Sequence, residues 1–166
     1  MKQDISPRTT AAFTGHRWYD FSQREALKAR LKSAIISAHR QGITNFLTGM
    51  AIGFDLLAAE AVLEMRRSLP DITLTAVIPC LEQSKNFSPS NKQLYKSILA
   101  RATHTIILSH DYHPRCFLER NRFMVEHSSL LIASYDGRPG GGTAWTVRHA
   151  RQQGKPIINI TNLKPD

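Results

Sequence analysis

Residues 43–65, ITNFLTGMAIGFDLLAAEAVLEM, hold the unit that decides the fold. Residues 43–47 are a short apolar run, read as a strand, and they lead into Thr48 and Gly49. Gly53 and Asp55 follow, and residues 56–65 are Ala/Leu-rich at helical spacing. Strand, glycine turn, helix is therefore the repeating grammar. Upstream, residues 9–14 (TTAAFT) read as a buried strand ending in Gly15. Ser22-Gln23-Arg24-Glu25 reads as an S-x-x-E capping box. Leu27, Leu31, Ala34, Ile35 and Ala38 then repeat with helical period until Gly42 stops them.

Downstream the pattern continues. Residues 72–78 are a third strand, and Ser88-Pro89 offers an N-cap followed by proline at the first helical position. Leu94, Tyr95, Ile98 and Leu99 form that helix's apolar face. Residues 103–108 are a fourth strand, 117–126 a helix, 130–135 a fifth strand, 142–152 a helix and 157–160 a sixth strand. Strands alternating with helices predict an α/β fold: one Rossmann-like, doubly wound domain spanning residues 1–166. Its mostly parallel sheet of about six strands carries helices on both faces.

Composition agrees. At 166 residues the chain has the length of a single domain, and 42% hydrophobic with 21% charged residues is globular rather than disordered. No apolar run approaches a membrane span, and the opening MKQDISPRTT lacks a signal-peptide core. Cys80 and Cys116 stand far apart and form no C-x-x-C, which excludes a disulfide framework or zinc ribbon. A reduced, cytoplasmic protein is expected. Lys and Arg total 22 against 13 acids, a net charge of +9, which favours anionic partners. The basic residues are spread along the chain, with no block of a nucleic-acid-binding tail.

Seven of the nine glycines fall in three segments, each just after a strand. Ligands of open α/β sheets bind where such loops converge, and glycine lets backbone N–H groups approach a phosphate. The first segment is Thr14-Gly15-His16-Arg17, with Arg17 a phosphate-binding candidate and His16 a hydrogen-bonding wall. The second holds Gly49, Gly53 and Asp55, the last either a ribose acceptor or a helix cap. The third is Asp136-Gly137-Arg138-Pro139-Gly140-Gly141-Gly142-Thr143. Three consecutive glycines cost backbone entropy that a plain turn does not require, so this is the strongest signal in the chain. Thr143 offers a hydroxyl to a phosphate oxygen or to a helix cap.

His110, Asp111 and His113 read as solvated loop residues, and no metal site is expected. Trp18 and Trp145 read as packing residues, with stacking on a base as the other reading. No Walker A, G-x-S-x-G or H-E-x-x-H motif is present.

In combination, TGHR (14–17), TGMAIGFD (48–55), ERNRFMVEHSSLLIASYDG (119–137), GGGTAWTVRHA (140–150) and GKPI (154–157) resemble the YpsA-like proteins. These belong to the SLOG superfamily of Rossmann-like proteins, with the Lonely Guy phosphoribohydrolases and the DNA-processing protein A family. The resemblance spans residues 9–160. It implies a site for a nucleotide or nucleotide-derived ligand, ADP-ribose-like or NAD-like, and a homodimer. No other cofactor is implied. By motif, Gly15 and Arg17, then Gly49, Gly53 and Asp55, then Gly141, Gly142 and Thr143 carry over to the ligand site. Arg120 and Asn121 lie in a stretch similar to the phosphoribohydrolases' ERKxxM, whose arginine is catalytic.

One departure bears on chemistry. The phosphoribohydrolases carry PGGxGTxxE, whereas residues 139–146 here run PGGGTAWT, one residue shorter and with Thr146 in place of the glutamate. Loss of a general acid/base costs ~10²–10⁴-fold. The expectation is a binding or sensor module with weak or no catalysis. The alternatives are a nucleotide or N-glycosidic hydrolase using Arg120, Asp55 or Glu119, and a nucleic-acid-binding module.

Overall fold

Strand β1, Thr10–Gly15, is buried on both faces: Ala11 and Phe13 enter one helical layer and Ala12 the other. Such two-sided burial is what a parallel strand covered by helices requires. The computed structural model describes residues 4–162. The absence of a signal-peptide core was read partly on residues 1–3, which lie outside the described residues.

The remaining strands are β2 (Asn45–Thr48), β3 (Thr73–Ile78), β4 (His104–Ile107), β5 (Leu130–Ser134) and β6 (Ile157–Asn159). They form one parallel sheet in the order β4-β3-β2-β1-β5-β6. The helices are α1 (Arg24–Arg40), α2 (Phe54–Met65), α3 (Pro89–Arg101), α4 (Cys116–Glu126) and α5 (Gly142–Gln152). The chain steps outward from β1 to β4 with α1, α2 and α3 on one face. It then returns to pair β5 with β1, and α4 and α5 cover the other face. Crossovers of one hand demand that change of face when the direction reverses. The expected Rossmann-like architecture is therefore the observed one.

The larger core lies under α1–α3. Phe13 stacks on Phe46 at 5.8 Å and meets the edge of Phe54 at 6.4 Å, all three rings at most 2% exposed. Truncating such a ring to alanine costs ~3–5 kcal/mol. Part of the basic charge is structural: Arg24 pairs with Glu60, and Lys28 and Lys32 both reach Glu64, tying α1 to α2.

The two serine cap signals came out differently. Ser88 accepts from the Asn91 amide at 3.3 Å, capping α3 with Pro89 at its first position. Ser22 does not cap α1. Asp20 is a nearer acceptor and takes both the Ser22 amide (3.0 Å) and hydroxyl (2.8 Å), so a 3-10 turn, Phe21–Gln23, precedes the helix. Glu25 pairs with Arg24 instead of reaching back to the cap. Among the described residues no helix is long and apolar enough to cross a membrane.

Candidate functional site

The direction of strand succession reverses between β1 and β5, and a cleft of about 420 Å³ opens at their carboxyl ends. This is where an open α/β sheet leaves a crevice between diverging loops. The β1 loop supplies Gly15, His16 and Arg17 and the α2 start supplies Asp55. Helix α4 supplies Arg120 and Asn121, and residues 140–143 close the far wall.

Arg120 is only 5% exposed. Its Nη1 donates to the Gly49 carbonyl at 2.6 Å and its Nε to Asn121 Oδ1 at 2.8 Å. Burial lowers its affinity for the proton, and the nearby Asp55 carboxylate works against that. The Gly49 carbonyl also accepts from Gln83 Nε2 at 2.8 Å, so one oxygen anchors two side chains. A Cβ at Gly49 would stand 2.9 Å from Asp55 Oδ2 and 3.0 Å from the Arg120 guanidinium. Glycine at 49 is thus what lets the buried guanidinium and carboxylate close on the loop.

Asp55 is 8% exposed, and burial pushes its carboxyl up to about 6. Arg120, the Ala51 amide (3.3 Å from Oδ2) and Arg17 pull the other way without overcoming the desolvation. The N-cap of α2 is Gly53 rather than Asp55, so the capping alternative for Asp55 falls; it sits in the first turn and faces the cleft. Arg17 and Arg120 both lie over the Phe117 ring, at 5.5 and 5.6 Å. One aromatic face thereby keeps two cations side by side.

The third loop is built differently from the other two. A Cβ at Gly140 or Gly141 would meet nothing within 4 Å, and at Gly142 only Asn121 Nδ2, at 3.5 Å. Gly141 is the N-cap of α5, at φ 97° and ψ 173°, and no side chain caps the helix. That backbone region is essentially open to glycine alone. The first-turn amides of α5 and its positive dipole end therefore face the cleft uncovered. Thr143 lines the same wall. Arg138, also lining it, is held by Asp136, whose carboxyl is drawn down to about 2 by hydrogen bonds from the Arg138 side chain and backbone. His16 Nε2 lies 3.2 Å from Asp136 Oδ1 and makes no hydrogen bond.

The structure thus gathers Gly15, His16, Arg17, Asp55, Arg120, Asn121, Gly140, Gly141, Gly142 and Thr143 around one cavity. Gly49 and Gly53 stand behind it. A Cβ at Gly53 would come within 2.1 Å of the Arg17 carbonyl, so it serves the contact between the first two loops. Gly15 lines the cavity but also makes room for Phe54, whose ring would be 2.2 Å from a Cβ there. Glu119 points away, 3.5 Å from His113 and more than half exposed. Thr146 returns its hydroxyl to the Gly142 carbonyl at 2.8 Å, so no acidic group occupies its position.

Other residues fall elsewhere than expected. Trp18 is not packed: it is 79% exposed, on the loop just after Arg17, with Phe21 at 77%. Trp145 does pack as expected, stacking on His149 at 4.8 Å and not lining the cleft. Cys80 and Cys116, distant in sequence, are both buried and lie close enough for one thiol to act on the other; burial and that neighbour push the Cys80 thiol up. Phe117 and Arg138 were not singled out from sequence. Arg138 lay inside the third glycine segment and was legible there; Phe117 carried no signal.

UPF0398 protein YpsA of Bacillus subtilis is 28% identical over 163 residues, covering 90% of this chain and 91% of that protein. A UPF0398 protein of Bacillus cereus is 32% identical over 133 residues, 79% of this chain and 72% of the relative. Among solved structures, DNA processing protein A from Helicobacter pylori, described for its single-stranded DNA binding mode, superposes with a TM-score of 0.61. Its identity is 20%, over 94% of this chain and 71% of its own. TM1055 superposes with a TM-score of 0.57 at 17% identity, over 90% of this chain and 72% of its own. At those identities the two structures bear on the fold alone, which they share. The model described as the YspA SLOG family matches residues 11–165, and the chain belongs to that family.

Proposed function

We propose that the cleft binds a phosphorylated nucleotide or nucleotide-derived ligand, with its phosphate at the start of α5. The observation that carries this reading is the uncapped Gly140–Gly142 turn lining one cavity with Arg17 and Arg120, and with Arg138 of its own loop. Uncovered helix amides, a positive dipole end and planar guanidiniums are the donors an oxyanion with several equatorial oxygens requires. Arg17, Arg120 and Arg138 line the cavity with Asp55, whose carboxyl burial pushes up to about 6, and Asp136 pairs with Arg138. The balance of charge is thus for an anion. Asp55 and Asn121 remain to accept from and donate to ribose hydroxyls.

Weak or no turnover is part of the proposal. N-glycosidic cleavage by the phosphoribohydrolase route needs a carboxylate placed to activate water or stabilise a cationic sugar. Thr146 supplies none and Glu119 stands outside, which leaves Asp55 alone beside Arg120.

The test is a thermal-shift screen with AMP, ADP, ATP, GTP, NAD, ADP-ribose and cyclic dinucleotides, with chromatography for products. A ligand at a hundred times its Kd adds about 2.7 kcal/mol, or very roughly 5–10 °C in Tm for a chain of this size. A shift that Arg17→Ala abolishes, with no product, supports the reading. No shift from any member overturns it.

One observation favours a second reading. Trp18 and Phe21 are exposed beside Arg17 on a chain of net charge +9, which is the mix of stacking faces and cations that suits single-stranded nucleic acid. Retention on oligonucleotides that falls steeply with salt and with Trp18→Ala would promote it.

A further inference from the structure

Phe117 walls more than one hollow. A second one, of about 380 Å³, shares that ring and is otherwise lined by Cys80, Glu82, Gln83, Lys85, Asn86 and Tyr112, in the loops after β3 and β4. A smaller hollow shares Arg17 and Phe117 with the first and Gln83 and Phe117 with the second. We infer that this second hollow receives the aromatic heterocycle of a ligand carrying a nucleoside diphosphate moiety, its phosphates lying at α5. The inference rests on the phosphate reading of the main cleft and extends it to the other end of the ligand.

Three observations point there. First, Tyr112 is 58% exposed at the mouth of the hollow, its ring 6.2 Å from that of Phe117 and tilted by 57°. An exposed aromatic over a cavity is a stacking face for a flat ring. Second, the rim offers a carboxylate, an amide and an ammonium in Glu82, Asn86 and Lys85, a set that matches the mixed donors and acceptors of a base edge and not a plain apolar guest. The floor is rigid: Gln83 donates to the Gly49 carbonyl and accepts from the Tyr95 hydroxyl at 3.1 Å. The Gly49 carbonyl it grips also holds Arg120, so both ends of the site share one anchor.

Third, the spacing selects a diphosphate. The α5 start follows β5, and the second hollow lies at the ends of β3 and β4. Three to four strand spacings of ~4.8 Å separate them, on the order of 14–19 Å. A nucleoside diphosphate matches the lower end of that range, and a monophosphate leaves one end short.

Tyr112 is largely exposed and reaches the phosphate end only through its ring contact with Phe117, so Tyr112→Phe, which keeps that contact, is the control for Tyr112→Ala. Titration calorimetry with ADP, AMP, ribose 5-phosphate and pyrophosphate separates the possibilities. Expected are ADP binding about tenfold tighter than AMP, a loss of about tenfold for ADP in Tyr112→Ala, retention in Tyr112→Phe, and pyrophosphate affinity unchanged by either. ADP binding equally well to wild type and Tyr112→Ala, with pyrophosphate still bound, overturns the base subsite while sparing the phosphate site. Binding of neither ADP nor pyrophosphate to wild type overturns both.

Discussion

Replacing Asp55 by asparagine isolates one buried charge and predicts a specific pH dependence. The Asp55 carboxyl is 8% exposed and, through burial, titrates at about 6 in the folded chain; unfolded, an aspartate titrates near 3.9. Because the folded value is raised, the stabilisation is fully present below pH ~4 and is lost as pH rises through about 6. Two units at 1.36 kcal/mol each put the loss at roughly 3 kcal/mol, as an order of magnitude. An asparagine keeps an oxygen to accept from the Ala51 amide and carries no charge to desolvate. The stability of Asp55→Asn relative to wild type should therefore climb by roughly 3 kcal/mol between pH 4 and pH 8. Urea denaturation of both proteins at pH 4.5, 5.5, 6.5 and 8, at constant ionic strength, measures it. With an m-value of ~1–3 kcal/mol/M, the midpoint difference should open by about 1 M or more. Since both proteins share every other titrating group, the difference belongs to this site. A difference that stays constant across the range refutes the reasoning. The same charge opposes an anion in the cleft, so Asp55→Asn should also bind pyrophosphate more tightly than wild type at pH 8, with that advantage vanishing by pH 4.5.

The three loops yield further expectations. Gly53→Ala places a methyl 2.1 Å from the Arg17 carbonyl at a φ of +81°, and should cost more than ~3 kcal/mol, seen as a fall in Tm or as insoluble protein. Gly140→Ala, with open space and no positive φ, should leave denaturation unchanged within ~0.5 kcal/mol. Gly141→Ala forces a side chain into a region reserved for glycine and should cost ~1–3 kcal/mol by the same assay. Ser88→Ala removes the α3 cap and should cost ~1 kcal/mol, while Ser22→Ala, which caps no helix, should cost less.

Much of the fold was legible because its determinants are local. Period and glycine punctuation located the six strands and five helices of the described residues, and Ser88-Pro89 marked a helix start that the structure keeps. The Ser22 reading failed through a competitor two residues away, Asp20, whose carboxylate outbids a backbone cap for the serine. Site residues were legible in proportion to how local their reason is. Gly140–Gly142 stood out because three glycines before a helix are costly in any context. Gly49 and Gly53 stood out as well, yet their reasons are contacts with Arg120 and Arg17, partners far away in sequence. Phe117 had no local signature, since what matters about it is which two guanidiniums lie over its ring.

By itself, then, the sequence determined an alternating α/β chain, a parallel sheet, a basic surface and a family resemblance. Each of these follows from short-range periodicity, composition or contiguous motifs. Only the tertiary structure decided the strand order and the switch point between β1 and β5, and with them the cleft. It also decided that Arg120 is buried against the Gly49 carbonyl, that Trp18 faces solvent and that Cys80 meets Cys116. These depend on which surfaces the crossovers bring together, and pairings across tens of residues leave no periodic trace in a single chain.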